Sequence, residues 1–379
     1  MEQKRLREIQ AFILEKTRQN ANRFGDKLPH ATVNGQYDFM DNGFWVGGFW
    51  TGLLWLAFEA TGDAAWAEAA RRSRNRFTKR LYEERETTDH DLGFLFSLSS
   101  VADYRLTGDQ AARQHALDAA EALAERFNPP GNYIQAWNVW TPGDPFSEEN
   151  RGRIIIDCMY NLPLLFWASE ETGDDKYREI AIAQADTCAK TIVRPDRTTF
   201  HTYLFDPESG EPLRGKTHQG YADDSCWSRG QTWAIGGYAH AYRYTRKPEY
   251  MQLAKELAQV YIDRLEDDLV PMWDFAFAGG QEGEPRDTSA GAIAAASFLE
   301  MASLLPEEEG AYYRRLAERI VESLYENYST KDEPKQEGLL KEATGHKPAD
   351  SNINVSLIYG DYYFAEAVAR LLGETEVYW

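Results

Sequence analysis

The feature that most constrains the fold is a helical pair that is joined by the same short turn at several places. The segments 58–72, 104–120 and 169–186 each contain an apolar helix pattern, then Thr-Gly-Asp, then an amphipathic helix pattern. Glycine suits the left-handed end of one helix, and aspartate suits the N-cap of the next. Less regular copies follow at 242–258 and 303–320. The repeat therefore predicts a chain of helical hairpins with tight turns.

The two helices of each pair differ in character. The first is apolar and rich in small residues, at 44–60, 92–106, 155–171, 227–244, 289–304 and 355–372. The second is amphipathic and charged, as at 64–81 and 310–327, and the chain opens with another such helix at 2–19. Because the apolar helices cannot face water, we expect six of them in an inner ring and six amphipathic helices around them. The prediction is an all-α fold, an (α/α)6 barrel (a six-hairpin toroid), with residues 1–379 as a single catalytic domain. Strands are expected only in connections such as 198–206.

The connections that lead into the inner helices are long and carry most of the unusual side chains. In a toroid these connections meet at one end and form a mouth, and long connections in a compact domain are usually functional. The candidates found in and beside them are Asp91, Asp157, His90, His201, His218, Trp45, Trp137, Trp233, Arg229 and Gln231. Helix capping and packing inside the ring would explain many of these residues one at a time. Their convergence at one end favours a binding site, and indoles beside two carboxylates suggest carbohydrate chemistry.

Asp157 is the most informative of these residues, because it stands in the apolar stretch RIIIDCMYNLPLLFW at 153–167. Such surroundings raise the pKa of a carboxyl group and keep a general acid protonated near neutral pH. Asp91, at the start of a helix beside His90, is expected to stay ionised. A purely structural alternative is an ion pair between Asp157 and Arg153, one helical turn earlier.

Charge argues against two classes of partner. The chain has 61 acidic and 41 basic residues, a formal net charge of -20, which disfavours binding to nucleic acid or to an anionic membrane surface. The longest apolar run, 44–58, is shorter than the roughly 20 residues that a membrane helix needs. An anionic substrate would need local donors at the mouth, and Arg229 is a candidate whose structural alternative is a pair with Asp224.

Cofactors and redox compartment are also constrained. The seven histidines lack the helical spacing of metal ligands, and neither a glycine-rich phosphate loop nor a serine elbow is found, so we expect no metal and no cofactor. Three scattered cysteines are too few for a disulfide framework. The first residues have the pattern of a charged helix without the apolar core of a signal peptide. Together these features predict a cytoplasmic protein.

Several long motifs resemble those of the unsaturated glucuronyl hydrolases, glycoside hydrolase family 88, in the same order over essentially the whole chain. They are HDLGFLFSLS (90–99), GRIIIDCMYNLPLL (152–165), FHTYLFDPESG (200–210), THQG (217–220), WSRGQTWAIGGYA (227–239), RDTSAGAIAA (286–295) and YGDYYFAEA (359–367). The resemblance implies an (α/α)6 barrel, in agreement with the helix count. It also implies substrates that are unsaturated uronyl disaccharides or short oligosaccharides left by polysaccharide lyases.

The resemblance further implies roles for individual residues. Asp157 would be the general acid and base that protonates carbon 4 of the unsaturated sugar and activates water for carbon 5. Asp91 would be the second essential carboxylate. His201 and Gln231 match family contacts to the sugar, and the indoles of Trp45 and Trp233 would be stacking platforms.

Several points stay open at the level of sequence. An inverting glycosidase of a related (α/α)6 family, acting on another uronyl glycoside, would use the same two acids, and a sugar-binding toroid would use them only as hydrogen-bonding groups. In the variable segment 345–362, Lys347, Ser351, Asn352 and Ser356 suit either a sulfate group or, as we prefer, the capping of the last inner helix. The preferred disaccharide and the choice between monomer and homodimer are not determined.

Overall fold

A computed structural model describes residues 1–375 and 378–379 and contains the predicted double ring of helices. The inner helices, numbered first to sixth in chain order, are Gly47–Thr61, Leu92–Phe96 continued by Ser97–Val101 and Ala102–Thr107, Cys158–Thr172, Ser228–Thr245, Thr288–Leu304 and Ile358–Leu372. Each inner helix packs against the next, and the sixth packs against the first. The ring is therefore closed, and the (α/α)6 barrel is confirmed.

The outer ring is formed by the amphipathic helices, some of them in two pieces. They are Gln3–Phe24, Ala64–Arg71 with Arg74–Tyr82, Gln110–Ala124, Asp175–Thr191, Pro248–Ile262, and Glu307–Ser323 continued by the π-helical Leu324–Tyr328. Their buried residues face the inner ring, whereas the inner helices are buried along nearly their whole length. In the described part of the chain, we find no helix with both the length and the apolar character that crossing a bilayer would require.

The Thr-Gly-Asp turns have the predicted geometry. Gly62, Gly108 and Gly173 have φ angles of 67°, 73° and 74°, which is the left-handed region that ends a helix. The aspartate that follows each glycine accepts a hydrogen bond from a backbone N–H in the first turn of the outer helix. The preceding threonine donates to a carbonyl four residues earlier. These turns are stabilised by their own residues, which explains why they can be recognised in the sequence.

Short strands lie in the long connections at the opposite end of the barrel. They pair as Leu28–Val33 with Gln36–Met40, Phe127–Asn128 with Tyr133–Ile134, Arg153–Ile155 with Thr202–Phe205 and Pro212–Lys216, and Ala343–His346 with Ser351–Val355. The strand at Arg153–Ile155 corrects the predicted start of the third inner helix, which begins at Cys158. Ile154 and Ile155 are β-branched residues that favour a strand and pair with Tyr203 and Thr202.

The floor of the barrel, at the end away from the strands, is filled by Trp379. Its side chain is 1% exposed, and its ring lies parallel to that of Tyr363 with centroids 5.9 Å apart. The indole N–H donates to Glu366, and the carbonyl oxygen of Trp379 accepts from the Tyr244 hydroxyl at 2.9 Å. Its ring also contacts Phe94, at 6.0 Å. Trp379 therefore packs in the centre of the ring, one aromatic layer below the mouth.

Candidate active site

A cavity of about 300 Å³ opens at the mouth, where the inner helices begin. It is lined by carboxylates, imidazoles, indoles and small polar groups: His30, Phe44, Trp45, Asp89, Asp91, Trp137, Trp140, Asp157, His218, Gln219, Trp227, Trp233, Gly345, His346, Ser351, Asn352, Leu357 and Tyr359. Among these described residues there is no Lys or Arg. The size and the mixture of ring faces with a few polar groups are typical of a small-ligand site. We call this space the mouth cavity.

Two of its carboxylates stand directly before inner helices. Asp91 precedes the second and Asp157 precedes the third, and neither side chain caps its helix. Burial and the charge of Asp89 raise the pKa of Asp157 to about 7. Burial, Asp89 and Asp157 also raise the pKa of Asp91 well above its usual range. The expectation that Asp91 stays ionised while Asp157 is protonated is therefore not supported, because both are buried together and hold a proton as a pair.

His90 lies behind the two carboxylates and is fully buried. Its Nε2 atom is 3.5 Å from Oδ1 of both Asp91 and Asp157. Burial lowers the pKa of His90 to about 4, so the ring is neutral at pH 7. Neither ring nitrogen has a hydrogen-bond partner among the described residues, and the same holds for Asp157 Oδ1. His90 thus contacts the carboxylates and does not line the cavity itself.

His90, Asp91 and Asp157 also form a group of possible metal ligands, with one donor atom of each within 4.8 Å of the others. His90 and Asp91 precede the second inner helix and Asp157 precedes the third, so the spacing of residues within one helix could not reveal this group. A cation there would compete with the proton that the raised pKa of Asp157 keeps on the pair. The absence of a metal stays a prediction.

The three-stranded sheet places His201 beside Ile156, the residue before Asp157, but His201 is buried and is not among the residues that line the mouth cavity. Ile155 pairs with Thr202, and the N–H of Ile156 donates to the carbonyl of His201 at 3.1 Å. The Nδ1 atom of His201 accepts hydrogen bonds from the backbone N–H groups of His218 and Gln219, at 2.9 and 3.1 Å. Burial holds the pKa of His201 well below its usual range. A neutral ring whose Nδ1 accepts must carry its proton on Nε2, so His201 presents an N–H donor without a partner among the described residues.

The predicted indoles are brought together. Trp45, Trp137 and Trp233 all line the mouth cavity. Trp45 contacts Tyr359 with ring centroids 4.8 Å apart, and Trp233 contacts Phe94 at 5.2 Å. His218 lines the cavity as well, and burial lowers its pKa to about 4.

Arg229 and Gln231 do not line the cavity, and this corrects their assignment to the substrate site. Arg229 is completely buried, pairs with Asp287 at 2.5 Å and donates to the carbonyls of Thr344 and Gly345. Its partner is thus Asp287 and not Asp224. The Gln231 amide donates to the carbonyls of Arg197 and Leu257 inside the barrel wall. Both side chains brace the connections around the mouth.

Arg153 is not the partner of Asp157, so the proposed ion pair between them is wrong. Its guanidinium binds Glu149 at 3.0 Å and donates to Asn150 and Thr202. Because residues 153–155 form a strand, these two side chains are not one helical turn apart. Among the described residues, His90 is the one basic side chain within salt-bridge distance of Asp157, and its ring is neutral at pH 7.

Several lining residues were not assigned to the site from sequence, although most stand next to residues that were. Asp89 precedes His90, Gln219 follows His218, and Trp140 shares the connection of Trp137. In segment 345–362, Ser351 and Asn352 belong to a strand that lines the cavity, whereas the sixth inner helix has Leu357 at its N-cap and no side-chain cap. The predicted capping role of this segment is therefore wrong.

Comparison with known proteins agrees with this geometry. Residues 17–371 match the model of Glycosyl Hydrolase Family 88. The chain is 41% identical to the unsaturated glucuronyl hydrolase of Bacillus sp. (strain GL1), over 96% of each chain. It is 37% identical to the unsaturated chondroitin disaccharide hydrolase of Streptococcus pyogenes serotype M1, over 97% of this chain and 91% of the relative. A solved structure of a UGL variant with dGlcA-Glc-Rha-Glc superposes with a TM-score of 0.90, at 40% identity and 95% coverage of both chains.

The barrel, the paired carboxylates and the aromatic cavity define a glycoside hydrolase. The chain belongs to Glycosyl Hydrolase Family 88.

Proposed function

We propose that this hydrolase releases the terminal 4,5-unsaturated uronic acid from lyase-generated oligosaccharides by hydrating the double bond of that sugar. The observation that carries the proposal is Asp157, a carboxyl group with a pKa near 7 and no basic partner, in a cavity lined by indoles. A protonated acid of this kind is what the attack on an electron-rich double bond needs. The family relationship supports the same substrate class.

The reaction uses Asp157 twice. Its proton goes to carbon 4, and the positive charge develops at carbon 5, where the ring oxygen shares it. The ionised Asp157 then takes a proton from water as the water oxygen bonds to carbon 5. The product is a hemiketal, whose carbon 5–ring oxygen bond breaks to give a ketone. The hydroxyl left on carbon 1 then expels the remaining oligosaccharide, and the uronic acid leaves as a keto acid.

The other residues have supporting roles in this scheme. Asp91 accepts a hydrogen bond from the Asn161 amide at 3.3 Å, and its place beside Asp157 suits it to orient that acid or a sugar hydroxyl. His201 lies behind the lining, and its unpartnered Nε2–H is suited to donate only to a substrate group that reaches beyond the lining residues. Trp45 and Trp233 offer ring faces to the sugar. The substrate is anionic and the lining contains no Lys or Arg, so neutral N–H donors must bind its carboxylate.

The distance between the two acids disfavours the inverting glycosidase. In inverting enzymes the carboxyl groups are about 6.5–9.5 Å apart, so that a water molecule fits between acid and sugar. Here one oxygen of Asp91, one oxygen of Asp157 and Nε2 of His90 lie within 4.8 Å of one another. The close pair suits an acid that exchanges one proton with both substrate and water.

The test is to follow the ultraviolet absorbance of the double bond with lyase-generated unsaturated disaccharides. Loss of absorbance together with release of the second sugar is the expected result. Cleavage with retained absorbance would instead identify a glycosidase. Binding without any reaction would identify a sugar-binding toroid.

We also propose that residues 1–379 act as one catalytic domain in the cytoplasm, as a monomer or homodimer, without nucleic acid or membrane as a partner. All three cysteines are free, including Cys158 and Cys188, whose sulfur atoms are 3.4 Å apart. Neighbouring free thiols are typical of a reducing compartment. The net charge of -20 disfavours polyanionic partners.

A further inference from the structure

One buried amide contacts both of the acidic residues that stand before the second and third inner helices. Asn161 lies in the first turn of the third inner helix and is 1% exposed. Its Nδ2 atom donates to Oδ1 of Asp91 and to the backbone carbonyl of Asp157, each at 3.3 Å. Its Oδ1 atom accepts a hydrogen bond from the backbone N–H of Phe94 at 2.9 Å. This single side chain therefore joins the start of one inner helix to the start of the next.

The orientation of this amide is fixed by its neighbours. A backbone N–H can only donate, so the atom of Asn161 that faces Phe94 must be the oxygen. The nitrogen then faces Asp91, whose carboxylate oxygen accepts from it. Phe94 stands in the first turn of the second inner helix, where the N–H groups have no partner within the helix. A reversed amide would place two donors against each other and leave both unpaired.

Gly93 allows the two helices to approach closely enough for this contact. A Cβ atom at residue 93 would lie 2.4 Å from Cα of Asn161, so only glycine fits between the two backbones. Asp91 and Asp157 directly precede these two helices. The contact at Asn161 therefore also sets how far apart the two carboxylates lie.

The two acids are held differently. Asp91 is bound by the Asn161 amide, whereas Oδ1 of Asp157 has no hydrogen-bond partner among the described residues. A buried donor that lost its acceptor would cost free energy, so the amide keeps the Asp91 side chain in one position. Asp91 is thus the fixed member of the pair, and Asp157 has an oxygen left for the substrate.

We propose that Asn161 is a positioning residue for the reaction, and that it holds Asp91 in the place beside Asp157 that turnover requires. The inference rests on the proposed function. Asn161 is not among the residues that line the mouth cavity, so it acts through the acids and not by touching the substrate. Loss of its amide should therefore slow the chemical step and leave substrate binding nearly unchanged.

The experiment measures kcat and KM for the wild type, Asn161→Leu and Asn161→Thr, from the loss of double-bond absorbance with an unsaturated disaccharide. Leucine has the branching of asparagine but no hydrogen-bonding group. We expect kcat per folded molecule to fall about 30-fold, with KM within about twofold of the wild-type value. Threonine has one hydroxyl proton, which can keep the bond to the Asp157 carbonyl four residues earlier but cannot serve Asp91 as well, so kcat should fall similarly.

Asn150→Leu is the matched control. Asn150 is completely buried in a connection at the same end of the barrel, and it is not among the lining residues. Its amide donates to the carbonyl of Asn138 and accepts from Arg153, without contact to either acid. The control should lower the melting temperature and leave kcat per folded molecule unchanged.

The possible outcomes separate this inference from the function on which it rests. If the wild-type protein hydrates no unsaturated disaccharide, both proposals fall. If it does, and kcat of the Asn161 variants stays within about threefold of the wild type, only the positioning role is overturned. A higher KM at unchanged kcat, or an equal fall in kcat for Asn150→Leu, would overturn it as well. If Asn161→Leu melts below the assay temperature, Asn161→Thr decides by the same two constants.

Discussion

Two buried carboxylates on the inner helices show opposite behaviour. Glu300, in the lower half of the fifth helix, is bound by Arg243 and by Arg370, the latter at 2.8 Å, and lies 3.5 Å from His240. Asp157, at the mouth, also lies 3.5 Å from a histidine but has no arginine partner. Burial acts on both groups in the same direction, so the difference comes from the neighbours.

The pKa directions follow from this contrast. Burial alone would raise the pKa of Glu300, but His240, Arg370 and Arg243 outweigh it and hold the pKa well below its usual range. At Asp157 burial is reinforced by the negative charge of Asp89, and the pKa reaches about 7. A buried ion pair fixes structure, whereas a buried acid with acidic neighbours is able to exchange a proton near neutral pH.

The largest expected effect is the loss of turnover in Asp157→Asn. An amide of the same size cannot donate and recover a proton, so we expect a loss of about 3–5 kcal/mol of transition-state stabilisation with little change in the melting temperature. The measurement is the initial rate of loss of double-bond absorbance. A variant with more than about a tenth of the wild-type rate would remove Asp157 from the mechanism.

Asp361→Asn is the matched control for that experiment. Burial raises the pKa of Asp361 to about 7 as well, but this carboxylate accepts hydrogen bonds from the Tyr37 hydroxyl and the N–H groups of Leu339 and Leu340. It is not among the lining residues of the mouth cavity. The control should lose stability and retain turnover per folded molecule.

Glu300→Gln should have the opposite profile to Asp157→Asn. Removal of the carboxylate leaves Arg243 and Arg370 without their shared partner, so we expect the free energy of unfolding to fall by about 3 kcal/mol. Urea denaturation followed by tryptophan fluorescence measures this change. An unchanged unfolding midpoint would show that the pair contributes nothing net, and a large fall in kcat at full folding would place Glu300 in the chemistry.

A smaller effect is expected from Asp89→Asn, on the pH profile. Asp157 must be protonated to act as the acid, so activity falls as pH rises through its pKa of about 7. Since the charge of Asp89 helps to raise this pKa, its removal should lower the pKa and move the alkaline limb of kcat to lower pH, by about half a unit. Glu86→Gln makes the same charge change on an exposed residue of the same connection and should leave the limb in place.

The smallest expected effect is that of a chelator. If Asp91 and Asp157 act without a bound cation, EDTA treatment followed by dialysis should leave the rate within about 20% of its starting value. The measurement is turnover before and after treatment, with and without added divalent ions. Loss of activity that a metal restores would assign His90, Asp91 and Asp157 to a metal centre.

The parts of the fold that are predictable from sequence are those stabilised by local interactions. Each Thr-Gly-Asp turn contains its own helix stop and cap, and the apolar and amphipathic helices alternate, so the barrel follows from short stretches. Asp157 was found for a similar reason, since its apolar neighbours are adjacent in sequence. The partner of Arg153 was not found from the sequence, because it depends on whether residues 153–155 form a strand or a helical turn.

Side-chain direction explains the remaining errors at the site. In the fourth inner helix Gln231 is two residues from both Arg229 and Trp233, and residues at that spacing do not share a helix face. Arg229 and Trp233, four residues apart, do share a face, but the guanidinium of Arg229 is bound by Asp287 and by the carbonyls of Thr344 and Gly345, so of the three only Trp233 lines the cavity. Gln219 and Asp89 would have been found if the immediate neighbours of the predicted histidines had been included.

The position of Trp379 has a consequence for the order in which the barrel is assembled during synthesis. Phe94 contacts Trp379 on one side and Trp45 and Trp233, which line the mouth cavity, on the other. The ribosome makes residue 379 after all six inner helices, so a nascent barrel that has every catalytic side chain still lacks the ring that supports this layer. We expect a barrel synthesised only as far as its sixth inner helix to be loose beneath its active site, and catalytic competence to arise only once Trp379 packs from below.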